Sequence, residues 1–190
     1  MKFHSLLIGA AIAAATASSW ANPVTYDGVL VPSIPAVGEV GGFGWFFEDG
    51  SQVDFWRFFG TAGQTVTFDV NRLNGNLDPA LSFYSGTTTA DTSDFAASGD
   101  WGGLTFIGSL DDENPPFLTP GPGGDPHGSF LLTSSQDYTV VVGGSNSTYS
   151  GSYPYRLTMF VAAPVPEPPI WAAFVCGLAA LAYVRRRRSA

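Results

Sequence analysis

Alternating apolar and polar residues dominate the middle of the chain. In the run 65–70, Val66, Phe68 and Val70 share one parity, with threonine and aspartate between them. The same two-residue period recurs in four other runs, at 54–59, 77–83, 138–142 and 155–159. Successive side chains of a strand point to opposite faces, so this period predicts half-buried β-strands. No helical period of useful length separates the runs, which predicts an all-β fold.

The connections between these runs are rich in glycine. Residues 60–64 have the glycine content of a hairpin loop. Strands joined by such turns without intervening helices favour an antiparallel β-sandwich or jelly roll over a parallel sheet. Two long segments, 86–103 and 111–128, are rich in Gly, Pro, Asp and Thr. Connections of that length are typical of functional or disordered segments.

The N-terminus has the pattern of an export signal. Lys2 precedes an apolar run at 6–15, and Ser19-Trp20-Ala21 has the small-x-small form that signal peptidase cleaves. The apolar run is too short to span a bilayer, and a structural helix is the alternative. The sequence therefore predicts an exported protein with a signal peptide over residues 1–21, with cleavage after Ala21 as the first choice and after Ala17 as the second.

The C-terminus carries a second apolar segment, residues 169–184, followed by a basic cluster. The cluster consists of Arg185, Arg186, Arg187 and Arg188. The segment is shorter than the roughly twenty residues of a usual membrane span, but the arginine stems can extend to the membrane surface. Positive flanks stay in the cytoplasm, so we expect a transmembrane helix with residues 22–164 on the outer side.

A proline-rich motif, Val165-Pro166-Glu167-Pro168, stands directly before this segment. The order of Pro-Glu-Pro, short hydrophobic helix and terminal arginine cluster over residues 165–190 resembles the PEP-CTERM sorting signal of exopolysaccharide-producing Gram-negative bacteria. The resemblance implies processing by an exosortase, a membrane-embedded cysteine protease. It also implies an inner-membrane intermediate and then a place at the cell surface, in the outer membrane or in the extracellular matrix of a biofilm. A plain tail anchor with a proline-rich stalk is the alternative.

Charge separates the middle of the chain from its ends. The whole chain has a formal net charge of −8, but residues 22–164 contain three arginines and no lysine against fifteen acidic residues, a net −12. Binding to nucleic acid needs a clustered basic surface, so this composition argues against it. The single cysteine, Cys176, lies in the C-terminal apolar segment. The exported part therefore has no disulfide and depends on its core, or on a bound metal, for stability.

Short motifs in a fixed order suggest a family for this middle part. Over about residues 50–160 their order resembles the bacterial pre-peptidase C-terminal domain. The matching pieces are Val53-Asp54-Phe55-Trp56-Arg57-Phe58, Ala62-Gly63-Gln64, Leu77-Asp78-Pro79-Ala80-Leu81 with Phe83-Tyr84, Asp111-Asp112-Glu113, Tyr138-Thr139-Val140-Val141-Val142-Gly143-Gly144 and Gly151-Ser152-Tyr153. The resemblance implies a β-sandwich module that acts in binding or folding rather than catalysis. Some relatives of this fold bind calcium through loop carboxylates.

Acidic residues form the one group with evident chemistry. Ca²⁺ takes six to eight oxygen ligands from carboxylates and carbonyls in flexible loops. Carboxylates held close together repel one another unless a cation lies between them. The candidate ligands are Asp78, Asp111, Asp112 and Glu113, with Asp54, Asp100 and Asp125 as further candidates. A solvated acidic loop that keeps the domain soluble is the alternative.

Catalytic motifs are absent from the sequence of residues 22–164, which contain one histidine, His127. Asp125 and His127 could serve a serine as orienter and base, but a solvent-exposed loop histidine is the simpler interpretation. We therefore predict no catalytic residues.

Aromatic residues allow a different hypothesis. Most of the tryptophans and phenylalanines are expected in the core, but Trp101 lies in the long segment 86–103 and could stack on a sugar ring, with Asp100 accepting hydrogen bonds from its hydroxyls. Two function classes stay open. One is a non-catalytic surface or matrix protein associated with extracellular polysaccharide. The other is a carbohydrate-binding module or, as the weaker alternative, a secreted hydrolase.

Overall fold

A computed structural model of the chain describes residues 22–145 and 150–163, together with Phe174 and Leu178. The predicted signal peptide, 1–21, lies outside the described residues. So do the sorting motif Val165-Pro166-Glu167-Pro168 and the arginines 185–188. No helix in the described part of the chain is both long enough and apolar enough to span a membrane.

Nine strands form the described fold, with one 3₁₀ turn at Thr92–Asp94. The strands are β1 (Tyr26–Val29), β2 (Ala36–Gly41), β3 (Asp54–Gly60), β4 (Thr65–Arg72), β5 (Pro79–Ser85), β6 (Thr105–Leu110), β7 (His127–Leu131), β8 (Gln136–Gly144) and β9 (Ser152–Ala162). All five predicted runs are strands, namely β3, β4, β5, β8 and β9.

The strands pair into two sheets. The five-stranded sheet has the order β1-β3-β8-β5-β6, and the four-stranded sheet has the order β2-β9-β4-β7. Every pairing is antiparallel except that of β1 with β3, which is parallel. The predicted all-β sandwich is therefore confirmed for the described residues.

The prediction of a hairpin at residues 60–64 is wrong. Strand β3 pairs with β1 and β8, whereas β4 pairs with β7 and β9, so this turn carries the chain from one sheet to the other. Glycine content indicates a tight turn, and Gly63 indeed has a φ of 83°. It does not indicate which strands pair on either side of the turn.

The main core lies between the two sheets. Val66, Phe68 and Val70 of β4 are completely buried, as the alternation predicts, and they pack with Phe58 and Phe83 of the opposite sheet. Burying such side chains contributes about 1.5–3 kcal/mol each.

A second apolar cluster covers the outer face of the five-stranded sheet. Phe55 and Tyr84 on that face pack against Phe95, Trp101 and Leu104 from the segment that connects β5 to β6. This long segment is therefore an ordered cover. It explains why six of the seven residues of β5 are buried, which a strand with one exposed face would not show.

Candidate metal site

Three predicted carboxylates meet at one edge of the five-stranded sheet. Asp78 comes directly before β5, and Asp111 and Asp112 come directly after β6. The two strands are antiparallel neighbours with Leu81 opposite Leu110, so the start of one lies beside the end of the other. Carboxylate oxygens of the three residues lie within 4.8 Å of one another. The grouping predicted for Asp78, Asp111 and Asp112 is therefore present, although no particular ion follows from it.

Two oxygens of this group are buried without a hydrogen-bond partner, Oδ1 of Asp78 and Oδ1 of Asp111. The Asp78 side chain is 10% exposed. The other Asp111 oxygen accepts a hydrogen bond of 3.2 Å from the Oγ of Ser145, the residue that follows β8. A buried acceptor without a partner costs about 1–3 kcal/mol, so these two oxygens favour an additional ligand.

The charges within the group are poorly balanced. Burial, and then the carboxylates of Asp112 and Asp111, raise the pKa of Asp78 to about 6. The Arg72 guanidinium lowers that pKa, but its Nη2 is 3.8 Å from Asp78 Oδ1, which is long for an ion pair. Burial and the Asp112 carboxylate also raise the pKa of Asp111. A divalent cation between the carboxylates would remove this repulsion.

Glycine is required where the next loop passes the carboxylates. Gly123 has a φ of 60°, a left-handed conformation. A Cβ at this position would collide with Oδ1 of Asp78 and with Oδ1 of Asp112. The neighbouring Gly124 donates its N–H to Asp112 Oδ1. The loop backbone at Gly123 therefore lies so close to the acidic group that no side chain fits between them.

A buried arginine holds this loop in place. Arg72, at the end of β4, is completely buried and donates from Nε to Asp125 Oδ1 at 2.7 Å. Its two other nitrogens donate to the carbonyls of Pro122 and Gly124. Motif analysis missed Arg72, Gly123 and Ser145, since a single arginine, glycine or serine carries no local pattern.

The remaining predicted ligands lie elsewhere. Glu113 is not part of the three-carboxylate group, because its Oε2 accepts from the backbone N–H groups of Asp111 and His127, at 2.9 and 3.3 Å. Among the further candidates, Asp125 pairs with Arg72, and Asp54 accepts a 2.8 Å hydrogen bond from the Tyr155 hydroxyl. The Glu113 side chain turns back onto the backbone N–H groups of Asp111 and His127, whereas its neighbours Asp111 and Asp112 both join Asp78.

Trp101 is a core residue in the structure. It is 7% exposed, and its ring contacts Phe55, Tyr84 and Phe95 with centroid distances of 5.6–6.3 Å. A ring enclosed in this way offers no open face to a sugar. The exposed Asp100 accepts a 2.7 Å hydrogen bond from the backbone N–H of Phe106, which holds the turn before β6.

The alternative hydrolase pair does not form. Asp125 is committed to Arg72, whereas His127 Nδ1 is 3.6 Å from Asp69 Oδ1 on the neighbouring strand. In the described residues, therefore, Asp125 does not orient His127 as it would in a catalytic triad.

No protein-family model matches the sequence, and no curated protein is similar to it in sequence. Several solved structures are similar in fold. A surface-associated copper-binding protein, CorA of Methylomicrobium album BG8, has a TM-score of 0.56 at 12% identity, over 72% of this chain and 98% of that one. This similarity shows a shared fold.

Two further structures are more distant. The periplasmic inhibitor of g-type lysozyme PliG from Aeromonas hydrophila has a TM-score of 0.43 at 18% identity, over 71% of this chain and 96% of that one. The pre-peptidase C-terminal domain of a Bacillus anthracis collagenase also has a TM-score of 0.43, at 11% identity, over 73% of this chain and 99% of that one. A pre-peptidase C-terminal domain is thus among the structural neighbours, at low sequence identity.

Proposed function

We propose that the protein is an exported, non-catalytic β-sandwich protein that binds Ca²⁺ through Asp78, Asp111 and Asp112. The observation that carries this proposal is the pair of buried carboxylate oxygens, on Asp78 and Asp111, that lack a hydrogen-bond partner within a group of three carboxylates. An ion at this point links the start of β5 to the end of β6. Its role is to stabilise the fold outside the cell.

The chemistry of the donors favours a hard cation. The three side chains and the nearby Ser145 hydroxyl offer only oxygen, which suits Ca²⁺, whereas copper prefers sites with nitrogen or sulfur ligands. Copper binding is a property of the structural neighbour CorA. No cysteine or histidine belongs to the acidic group described here.

Export and sorting are proposed from the sequence. Residues 1–21 direct the chain to the secretion machinery and signal peptidase, and residues 165–190 form a PEP-CTERM signal that an exosortase-type protease processes. The mature protein then resides at the surface or in the extracellular matrix of a Gram-negative bacterium, associated with exopolysaccharide. An exported domain without disulfides gains particular stability from a metal ion, which links this location to the proposed site.

Thermal unfolding of the full chain tests the calcium proposal. At a free Ca²⁺ concentration of about 100 times the dissociation constant, binding adds about 2.7 kcal/mol, which raises the melting temperature by roughly 5–10 °C over the value in EDTA. Asp112→Asn should abolish this rise, because the exposed Asp112 supplies one of the three carboxylates. The control Asp137→Asn removes an exposed charge from β8 and should keep the rise. An identical melting curve in EDTA and in Ca²⁺ would exclude the site.

A further inference from the structure

A second polar site lies on the outer face of the four-stranded sheet. Asp69 and Asn71 point away from the core, since the alternate residues Phe68 and Val70 point into it. In the sheet register Asp69 stands opposite His127 of β7, and Asn71 stands opposite Arg156 of β9. Four polar side chains from three adjacent strands therefore form one patch.

A proline-rich strap turns this patch into a pocket. Asn114 and Asp125 exchange two backbone hydrogen bonds of 3.1 and 2.7 Å, which hold the segment from Asn114 to Phe117 above the sheet. The backbone N–H of Phe117 donates to Asp125 Oδ2 at 3.3 Å. Strap and patch together line a cavity of about 510 Å³, within the size range of small-molecule sites.

Three buried polar atoms of the patch make no hydrogen bond, although one of them, His127 Nδ1, lies 3.6 Å from Asp69 Oδ1. Asn71 is 1% exposed, and its Nδ2 makes no hydrogen bond, nor do Arg156 Nε and His127 Nδ1. Among the described residues, Arg72 forms an ion pair with Asp125, and the Arg57 guanidinium lies over the ring of Tyr26. Arg156, the third arginine of this part of the chain, forms no ion pair within it. An unmade hydrogen bond on a buried amide costs about 1–3 kcal/mol, so the pocket favours a ligand that supplies acceptors.

The chemistry of the groups that line the cavity indicates which functional groups the ligand carries. The unpaired guanidinium of Arg156 and the adjacent Asn71 amide favour a carboxylate. The Asp69 carboxylate accepts hydrogen bonds, so it favours hydroxyl groups on the part of the ligand that lies away from the ligand's own carboxylate. Phe117 is 79% exposed at the rim of the cavity and offers an apolar face to a ring.

We propose that this pocket binds a hexuronate residue, the acidic sugar unit of a polysaccharide. Its carboxylate pairs with Arg156 and Asn71, its hydroxyls bond to Asp69 and His127, and its ring lies against Phe117. The inference rests on the proposed association with extracellular polysaccharide and is independent of the calcium site.

Calorimetric titration of the full chain with glucuronate, and with an oligouronate, tests this assignment. We expect binding of both, and binding of neutral glucose at least tenfold weaker, because glucose leaves Arg156 without an anionic partner. Arg156→Gln should weaken glucuronate binding at least tenfold. The matched control Arg57→Gln makes the same charge change on the other sheet and should leave binding unchanged.

Aromatic substitutions provide a second pair. Phe117→Ala should weaken glucuronate binding several-fold, whereas Phe59→Ala, which removes a phenylalanine that is 65% exposed on β3, should not. The inference is overturned if glucuronate does not bind, if glucose binds equally well, or if Arg156→Gln binds like the unaltered chain. The calcium proposal is tested by a separate measurement, the difference in melting temperature between EDTA and Ca²⁺. A failure of the hexuronate inference is therefore distinguishable from a failure of the calcium proposal.

Discussion

At the scale of single residues, Asp78 and Asp54 have pKa values raised to about 6, in each case mainly by burial. Both side chains face other carboxylates, Asp78 those of Asp112 and Asp111 and Asp54 those of Asp27 and Glu39. Asp54 also accepts hydrogen bonds from the Tyr155 hydroxyl and the Glu39 backbone N–H, which lower its pKa and satisfy its Oδ2. Asp78 is the residue at which a cation would have the larger effect.

The pH dependence of stability follows from the raised pKa of Asp78. Its carboxyl ionises near pH 4 in the unfolded chain and near pH 6 in the folded one. Without metal, the stability it contributes is full below pH 4 and is lost as the pH rises through 6. Calcium binding needs the ionised form, so calcium affinity should rise over the same interval.

Asp78→Asn should therefore have opposite effects with and without calcium. At pH 8 in EDTA the substitution removes a disfavoured charge, so urea unfolding should show a free energy of unfolding about 1 kcal/mol higher than that of the unaltered chain. In saturating Ca²⁺ the order should reverse, because the variant lacks a ligand. A variant that is less stable in both solutions would contradict this account of Asp78.

A buried hydrogen-bond chain makes a second prediction at this scale. Trp56 Nε1 donates to the Tyr155 hydroxyl at 2.6 Å, and this hydroxyl donates to Asp54 at 2.8 Å. Tyr155→Phe leaves the buried indole N–H without an acceptor and should lower the free energy of unfolding by about 1–3 kcal/mol. Tyr153→Phe, on the same strand, removes a hydroxyl that makes no hydrogen bond in the described residues and serves as the control in urea unfolding. An equal decrease in the free energy of unfolding for the two variants would contradict the stabilising role of these hydrogen bonds.

At the scale of elements, the strands that the sequence predicts are the central ones. The predicted runs correspond to β3, β8 and β5 inside one sheet and β9 and β4 inside the other, whereas β1, β6, β2 and β7 are the sheet edges. Central strands bury side chains on at least one face along their whole length, and this burial imposes the alternation. Edge strands bury fewer side chains, and the sequence of β2, with two glycines in six residues, shows no clear alternation of apolar and polar residues.

The candidate metal site could likewise be predicted only in part, since some of its features depend on contacts between residues that are far apart in the sequence. The predicted run 77–83 contains Asp78, although β5 begins one residue later, and the pair Asp111-Asp112 is conspicuous in the sequence. That Glu113 separates from them, and that Gly123 returns to cover them, depends on the path of the loop between β6 and β7. Trp101 is a similar case, because only the packing of its segment onto Phe55 and Tyr84 shows that its ring is enclosed.

Gly123 allows the role of this loop to be measured. Gly123→Ala places a methyl group against two carboxylate oxygens and should abolish the rise in melting temperature with Ca²⁺. The control Gly103→Ala has the same left-handed penalty of about 1–2 kcal/mol, since its φ is 85°, but its Cβ would meet nothing within 4 Å. It should therefore be less stable than the unaltered chain yet keep the calcium response. A full response in Gly123→Ala would place the ion elsewhere.

At the scale of the whole molecule, the net charge of −12 on residues 22–164 bears on both proposed sites. Like charges over a small domain oppose its compact state, and a bound divalent cation offsets part of that cost. The same charge repels a polyanion in general. Recognition of an acidic sugar therefore depends on the local pocket at Arg156, and salt should weaken that contact.

Diffraction from crystals of the protein grown in Ca²⁺ tests the central claim most directly. The calcium proposal predicts an electron-density peak about 2.3–2.6 Å from a carboxylate oxygen of each of Asp78, Asp111 and Asp112. Soaking in EDTA should remove the peak. The claim is contradicted if crystals at saturating Ca²⁺ show no ion between these three carboxylates.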